Sequence, residues 1–484
     1  MDADPAMPAL KRARVTLGGR AVVHGLSAAH RAHLFEATTL QPKASAASAA
    51  PPPPLHMSVL DEDAGDIALP RQYYLAAAAD GGGGGGVMTD ARSWGQPMAP
   101  EARASSRIQL LRTPPQVDAV EATLAQLRGP RGAGLLVLPC GMGKTVCGAA
   151  VALALDHPAG AGAAACKALV LVTDRGLAKQ WANRFAQFVP GARLGVIQGK
   201  KAQWRDADVC IGMVQSFFKP NKYPAEMFAA FGTLVCDESH MMAAREMSKV
   251  VPLFSARHVL ALSATPERDD GCTDALTWLF GPTAYRCRRP WQEVRVEEVR
   301  YGAPLEGLAR FGKPAHDLDV SRLVQDPVRN AFIVQRAVAA VAGEGRHVMI
   351  LSERTAHIME LAAAVAAARP GTSVGVYHGG LSDAERDAFL EQRYDVVVAI
   401  MKMGKQGLDK PEIDMVILAT PIMRKYEQAV GRALRAYPGK DVRVPTIVDI
   451  VDPYGAFAGM ARSRSRFHQA EGYVVRRYAH PPSV

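Results

Sequence analysis

Four separated groups of residues have types and spacing suited to phosphate chemistry. The first is Pro139-Cys140-Gly141-Met142-Gly143-Lys144-Thr145. Gly141 and Gly143 would let backbone amides approach phosphate oxygens, Lys144 would neutralise the β and γ phosphates, and the Thr145 hydroxyl would ligate Mg²⁺. The pattern Gly-x4-Gly-Lys-Thr is incomplete, because Leu138 stands at its first glycine. The second group is Asp237-Glu238-Ser239-His240. Asp237 is suited to hold Mg²⁺ and Glu238 to orient and deprotonate an attacking water. The third, Ser263-Ala264-Thr265-Pro266, offers two hydroxyls that can relay a change by hydrogen bonds. The fourth, Gln428-Ala429-Val430-Gly431-Arg432-Ala433-Leu434-Arg435, puts Arg432 and Arg435 three apart, on one helical face. Guanidinium groups there could clamp phosphoryl oxygens as charge develops.

Further groups could read the rest of a nucleotide or a polyanion. Gln116 could exchange paired hydrogen bonds with adenine while Arg112 stacks on the ring. Asp409, in Gly404-Lys405-Gln406-Gly407-Leu408-Asp409-Lys410-Pro411, could position a ribose or an arginine. Arg175, Lys179, Gln215, Ser216, Lys219, His378, Gly379, Lys402 and Lys405 are candidates for phosphate contacts without base readout. A local hydrogen bond is an equally ready explanation of His378.

These groups need elements to hold them. Apolar strands are predicted over 135–138, 168–172, 209–213, 233–236 and 259–262, with helices over 145–155 and 176–188. Alternating strands and helices indicate a mainly parallel sheet covered on both faces. The acidic pair follows one strand and the phosphate loop another, so both would lie at the strands' carboxyl ends. A second series follows, with strands over 347–351, 373–377, 395–400, 415–419 and 446–451 and helices over 356–368 and 383–392.

The predicted organisation has five parts. Residues 1–105 form a low-complexity or small accessory region, with Pro51–Pro54 and a glycine run at 81–86. A short strand and helix are expected within 15–34. Residues 106–288 form the first α/β domain, 289–325 a connector, 326–450 the second α/β domain and 451–484 a C-terminal extension.

The 484 residues allow two or three domains. A formal charge of +10 favours polyanionic partners without separating DNA from RNA or acidic lipid. No stretch resembles a membrane span of about 20 apolar residues, and the N-terminus lacks the order of a secretory signal. Lys11-Arg12-Ala13-Arg14 reads as a basic surface before a nuclear-import patch. The seven cysteines contain no Cys-x-x-Cys pair, which points to a reducing compartment, without a zinc site or disulfide framework.

Taken together, residues 106–450 resemble superfamily 2 helicases. The resemblance is to the branch of DNA-repair and transcription-factor helicases, phage recombination helicases and the poxvirus transcript-release helicase, with helicases of giant DNA viruses nearest. Leu138 to Thr145, Leu262-Ser263-Ala264-Thr265-Pro266-Glu267-Arg268-Asp269-Asp270-Gly271, Leu351-Ser352-Glu353-Arg354 and the segment from Gly407 to Pro411 carry it. It implies two tandem RecA-like domains with mainly parallel sheets, and the proline and glycine tracts point to a partly disordered N-terminal extension before them. It also implies ATP hydrolysis with Mg²⁺ coupled to movement on nucleic acid, generally 3′→5′. His240 and Gln428 would link the ATP cleft to domain closure, and Arg432 and Arg435 would complete it from the second domain. Ser239, Met241 and Thr173-Asp174-Arg175 depart from the usual residues, which leaves the track contacts open. DNA is the expected partner. RNA, an RNA polymerase complex, a duplex translocase and a nucleotide-switched assembly factor remain alternatives. A monomer in nucleus, cytoplasm or a viral compartment would fit.

Overall fold

The computed structural model describes residues 7–43, 52–79, 86–112, 115–139, 141–160, 164–264, 268, 270–287, 293–302, 316–401, 408, 410–422, 430–431 and 443–480. Cys140, Thr265, Lys402, Lys405, Asp409, Gln428, Arg432 and Arg435 lie outside the described residues. The chain divides into two compact units, one ending at Cys287 and one beginning at Arg288, with Pro139–Met142 grouped with the second.

The first unit is built on an eight-stranded sheet. Its order is Lys201–Ala202, Leu194–Gln198, Val209–Met213, Ala168–Val172, Thr233–Cys236, His258–Ser263, Ala133–Val137 and Thr283–Arg286. All pairings are parallel except the hairpin of the first two strands. Four of the central strands are buried along their whole length. Continuous apolar runs such as Ala168-Leu169-Val170-Leu171-Val172 suit a strand covered on both faces, where alternation has no purpose. Parallel pairing brings the loops after these strands to one edge of the sheet, and the phosphate loop and the acidic pair both lie there.

Residues 1–105 hold more structure than their composition suggests. Strands Val59–Asp61, Asp66–Pro70, Arg20–His24, Arg14–Leu17 and Met88–Asp90 form a five-stranded sheet. Helices Ala28–Ala37 and Arg71–Ala79 accompany it, and Val15, Leu17, Val23, Leu34, Ile67, Leu69 and Tyr74 form its core. It is fastened to the larger sheet's layer by polar contacts. The buried Arg71 guanidinium donates to Gly18 O at 3.2 Å and Ala256 O at 2.8 Å, and Gln72 Nε2 donates to Arg131 O at 3.2 Å. Tyr73 meets Trp278 edge-on, with ring centres 5.5 Å apart.

The second unit carries a seven-stranded, wholly parallel sheet. Its order is Val374–Tyr377, Val396–Ile400, Val348–Ser352, Met415–Leu418, Thr446–Val451, Arg295–Tyr301 and Val474–His480. This corrects two of the expected boundaries. Arg295–Tyr301, assigned to a connector, lies inside the sheet, and Val474–His480, assigned to an extension, is its edge strand. Both neighbours of Arg295–Tyr301 are more than 140 residues away in sequence, so no local pattern announces the pairing. Two buried ion pairs tie the helices Pro327–Glu344 and Gly455–Ala470 to this sheet. Arg329 grips Asp452 with two bonds of 3.0 and 3.1 Å and donates to Ala419 O at 2.5 Å. Arg464 bonds Asp449 and donates to Ile422 O at 2.7 Å. The extra carbonyl bonds give each guanidinium nitrogen an acceptor, which offsets part of the cost of burying the charges.

Candidate nucleotide site

The fully buried strand Ala133–Val137 leads into the loop, and helix Lys144–Ala154 leaves it. Leu138 N bonds Ser263 O at 3.1 Å, which fixes the loop's start beside the neighbouring strand. Gly141 and Gly143 have φ of +90° and +80°, a region that L side chains rarely adopt. Gly143 is constrained a second way, because a Cβ there would lie 2.5 Å from Gln116 Nε2. Lys144 Nζ donates to Leu138 O at 3.3 Å, so the ammonium is folded back over the loop.

Asp237 follows strand Thr233–Cys236, is 3% exposed, and its backbone N–H bonds Leu171 O. Its carboxylate accepts from Trp181 Nε1 at 2.8 Å and from Glu238 N at 2.9 Å. Burial and the neighbouring Glu238 charge push its pKa up to about 6, against the pull of Trp181, Lys144 and the Glu238 amide. Gln180, next to Trp181 on helix Arg175–Phe188, donates from Nε2 to Thr145 Oγ1 at 3.2 Å. Adjacent residues of one helix therefore hold both expected metal ligands, Thr145 and Asp237. A hydroxyl and a buried carboxylate crowded by a second carboxylate form a hard oxygen donor set of the kind Mg²⁺ takes, and a cation there would relieve the raised pKa.

Glu238 has φ +49° and ψ +48°, unusual for a residue with a side chain. Its Oε2 is buried without a hydrogen-bond partner and lies 3.4 Å from His240 Nδ1. The same Nδ1 is 3.4 Å from Ser263 Oγ. His240 thus stands between the acidic pair and the described part of the third motif. Arg268 fixes its backbone by donating to His240 O at 2.6 Å, and Asp270 holds Arg268 in turn.

The other expected residues divide. Gln116 is buried, and its Oε1 accepts from Leu111 N at 3.1 Å, which orients the amide and leaves a second lone pair on the oxygen. Arg112 is exposed. Arg175, Lys179, Gln215 and Lys219 are exposed after the adjacent strands Ala168–Val172 and Val209–Met213, and Gln215 Nε2 joins the two loops through Thr173 O at 2.7 Å. Ser216 is a correction. It is 7% exposed and its hydroxyl accepts from Gly199 N, so it holds the loop rather than offering itself to phosphate. His378 Nδ1 accepts from Gly380 N at 3.1 Å, the local bond that was the alternative reading, and Gly379 is exposed.

Gln180 and Trp181 escaped the sequence reading. Trp181 stands four residues before Phe185 on an amphipathic helix, which reads as core, and both are buried. No local signal shows that its N–H meets Asp237.

A glycine loop between strand and helix, with an acidic pair two strands away in the same parallel sheet, defines a P-loop nucleotide-hydrolysing fold. The family models agree. "Type III restriction enzyme, res subunit" matches residues 109–268 and "Helicase conserved C-terminal domain" matches residues 333–437. Between them the matches span more than half of the chain, and the chain belongs to the superfamily 2 helicases. A protein of Acanthamoeba polyphaga mimivirus, named as a candidate ATP-dependent RNA helicase, is 28% identical over 361 residues, covering 72% of this chain and 66% of that protein. A candidate helicase of Frog virus 3 is 27% identical, covering 72% of this chain and 75% of the relative. The DNA 3′-5′ helicase XPB of Kineococcus radiotolerans is 28% identical, covering 71% of this chain and 61% of the relative. Among solved structures, Saccharomyces cerevisiae Dbp5 bound to RNA and ADP BeF3 shares the fold, with a TM-score of 0.51 at 17% identity over 79% of this chain and 94% of that one. Among the described residues no helix is long and apolar enough to cross a membrane.

Proposed function

We propose that this helicase hydrolyses ATP with Mg²⁺ and uses the cycle to move on DNA in the 3′→5′ direction. The observation that carries the hydrolytic part is the Asp237–Glu238 pair, with the buried Asp237 held by Trp181 and Thr145 held by the adjacent Gln180. Gly141 and Gly143 would present backbone amides to the phosphates, with Pro139, Cys140 and Met142 completing the loop. Lys144 would leave Leu138 O for the phosphates. Thr145 and Asp237 would hold Mg²⁺, which supplies charge neutralisation at the phosphates when bound. Glu238, with one carboxylate oxygen lacking a hydrogen bond, would take the proton of the attacking water. Arg432 and Arg435 would meet the transferred phosphoryl group, Thr265 and, by the helicase resemblance, Gln428 would serve coupling, and Asp409 would position the ribose or an arginine. His240 and Ser263 would carry the state of Glu238 away from the site. Lys402, Lys405, Arg175, Lys179, Gln215 and Lys219 would meet the track.

DNA and polarity are proposed from the likeness to the helicase named XPB. The viral relative named for RNA supports RNA as the second reading. A matched panel decides. ATP turnover and strand displacement would be measured on forked DNA with either polarity of tail, blunt DNA and the same RNA sequences. DNA-stimulated turnover with displacement from a 3′ tail is expected. Stimulation by RNA alone overturns the substrate, and turnover with no nucleic-acid response overturns the motor.

A further inference from the structure

The loop after strand Val209–Met213 carries two adjacent phenylalanines with opposite fates. Phe217 is 3% exposed and packs among Tyr223, Phe228 and Phe254, with ring centres 5.4, 6.3 and 5.4 Å away. Phe218, one residue on, is 40% exposed. A single exposed apolar ring is ordinary on a protein surface. This one stands in an unusual setting.

Its loop is stitched to the neighbouring hairpin. Ser216 Oγ accepts from Gly199 N at 3.2 Å, and Tyr223 OH donates to Gly199 O at 3.3 Å. Gly199 turns the hairpin between strands Leu194–Gln198 and Lys201–Ala202, so Lys200 and Lys201 are brought beside the Phe218 loop. Within that loop Lys222 Nζ donates to Ser216 O at 3.2 Å and covers the Tyr223 ring at 4.9 Å. Asn221 takes φ +56°, a left-handed turn that asparagine tolerates. Lys200, Lys201, Lys219 and Lys222 are all exposed, and the nearby ion pairs use other cations, Arg193 with Asp208 and Lys249 with Glu246. Two loops bonded to each other thus carry four exposed lysines and one exposed aromatic ring.

We infer that residues 199–201 and 215–223 form a single-strand platform, in which Phe218 stacks on an unpaired base and Lys200, Lys201, Lys219 and Lys222 hold the flanking phosphates. The inference rests on the nucleic-acid reading above and adds to it a grip on bases. Lysines alone would hold duplex and single strand alike. A base can offer its face to Phe218 only where it is unpaired or at a duplex end, so the platform selects single strands without reading sequence. The fixed loop removes much of the ordering cost of that contact.

The test compares binding of an oligothymidylate with that of an abasic strand of equal length, by fluorescence anisotropy across a salt series. The wild-type protein should prefer the base-bearing strand about tenfold, the scale of one stacked base. Phe218→Ala should remove the preference and keep the salt dependence. Phe218→Leu, which retains apolar bulk without a π face, should behave as Phe218→Ala. Lys200→Ala should weaken both strands equally and reduce the salt slope by roughly 0.7. A tenfold preference that survives Phe218→Ala overturns the platform. So does equal binding of the two strands by the wild-type protein, which leaves the motor reading standing. Binding of neither strand overturns both.

Discussion

Trp181 and Asp237 meet through one hydrogen bond of 2.8 Å, from the indole Nε1 to the carboxylate Oδ2, with Trp181 fully buried and Asp237 nearly so. The bond sets the carboxylate's direction, and the Glu238 amide holds its other oxygen. Trp181→Phe removes the donor and also part of a fully buried ring. A hydrogen bond to a charged group contributes about 1.5–3 kcal/mol and the cavity adds to that, so stability should fall by at least that order. The more telling effect should be on metal use. The Mg²⁺ concentration needed for half-maximal ATP turnover should rise in Trp181→Phe. An unchanged Mg²⁺ dependence would remove Asp237 from the proposed metal set.

Gly143 combines φ +80° with a direction closed by Gln116. Gly143→Ala should strain the backbone by roughly 1–2 kcal/mol and displace the Gln116 amide. Nucleotide affinity, read by fluorescent-nucleotide titration, should fall at least tenfold. Adding Gln116→Ala should relieve the collision but leave the backbone strain and remove the expected adenine contact, so recovery should be partial. Full recovery would show that the left-handed turn is dispensable.

The second unit contains a histidine whose protonation opposes folding. His357 Nδ1 lies 2.8 Å from Ser352 Oγ, and Nε2 lies 2.9 Å from Asn330 Oδ1, while Asn330 Nδ2 donates to Val324 O. Asn330 therefore presents its oxygen, which fits a neutral ring protonated on Nε2. Burial, and then the Arg329 charge, lower its pKa to about 4. The unfolded chain binds this proton first as pH falls, so stability is retained above about 6.5 and lost toward about 4. The slope is up to about 1.4 kcal/mol per pH unit for this group. His258 and His468 are lowered by burial in the same direction, so a difference between variants is needed. Asn330→Asp sets a carboxylate against Nε2 and should raise the His357 pKa. Urea midpoints at pH 7 and pH 5 should differ less in Asn330→Asp than in the wild-type chain.

The Arg329–Asp452 pair has both side chains fully buried. Burial raises the Asp452 pKa against the pull of Arg329. Arg329→Met strands that carboxylate and should destabilise the chain by about 3–5 kcal/mol. Arg329→Met combined with Asp452→Leu should recover a large share, measured by denaturant unfolding. A double variant as unstable as the single one would mean that the Ala419 carbonyl bond matters more than the charge.

The sequence made the chemistry legible where the needed residues are consecutive. Gly141 to Thr145 and Asp237-Glu238 fall where strand runs such as Thr233-Leu234-Val235-Cys236 end, and continuous apolar runs reveal strands buried on both faces. What stayed hidden depends on distant partners. Trp181 resembles any core tryptophan until Asp237 is beside it. Arg295–Tyr301 alternates as a strand should, yet its partners are 446–451 and 474–480, so it reads as a connector. Ser216 looked like a phosphate ligand because its loop is polar, and only Gly199 N reveals its other use. The small N-terminal sheet was obscured by the proline and glycine tracts that interrupt its sequence.

In the proposed reaction Glu238 activates water for ATP hydrolysis driven by nucleic acid. The most direct measurement is single-turnover ATP hydrolysis by Glu238→Gln, with and without a single-stranded oligonucleotide, alongside ATP binding by the same protein. Gln keeps the size and removes the base. The expected result is retained ATP binding with turnover reduced by about 10²-fold or more, and stimulation by the oligonucleotide in the wild-type protein only. Wild-type turnover by Glu238→Gln would contradict the assignment.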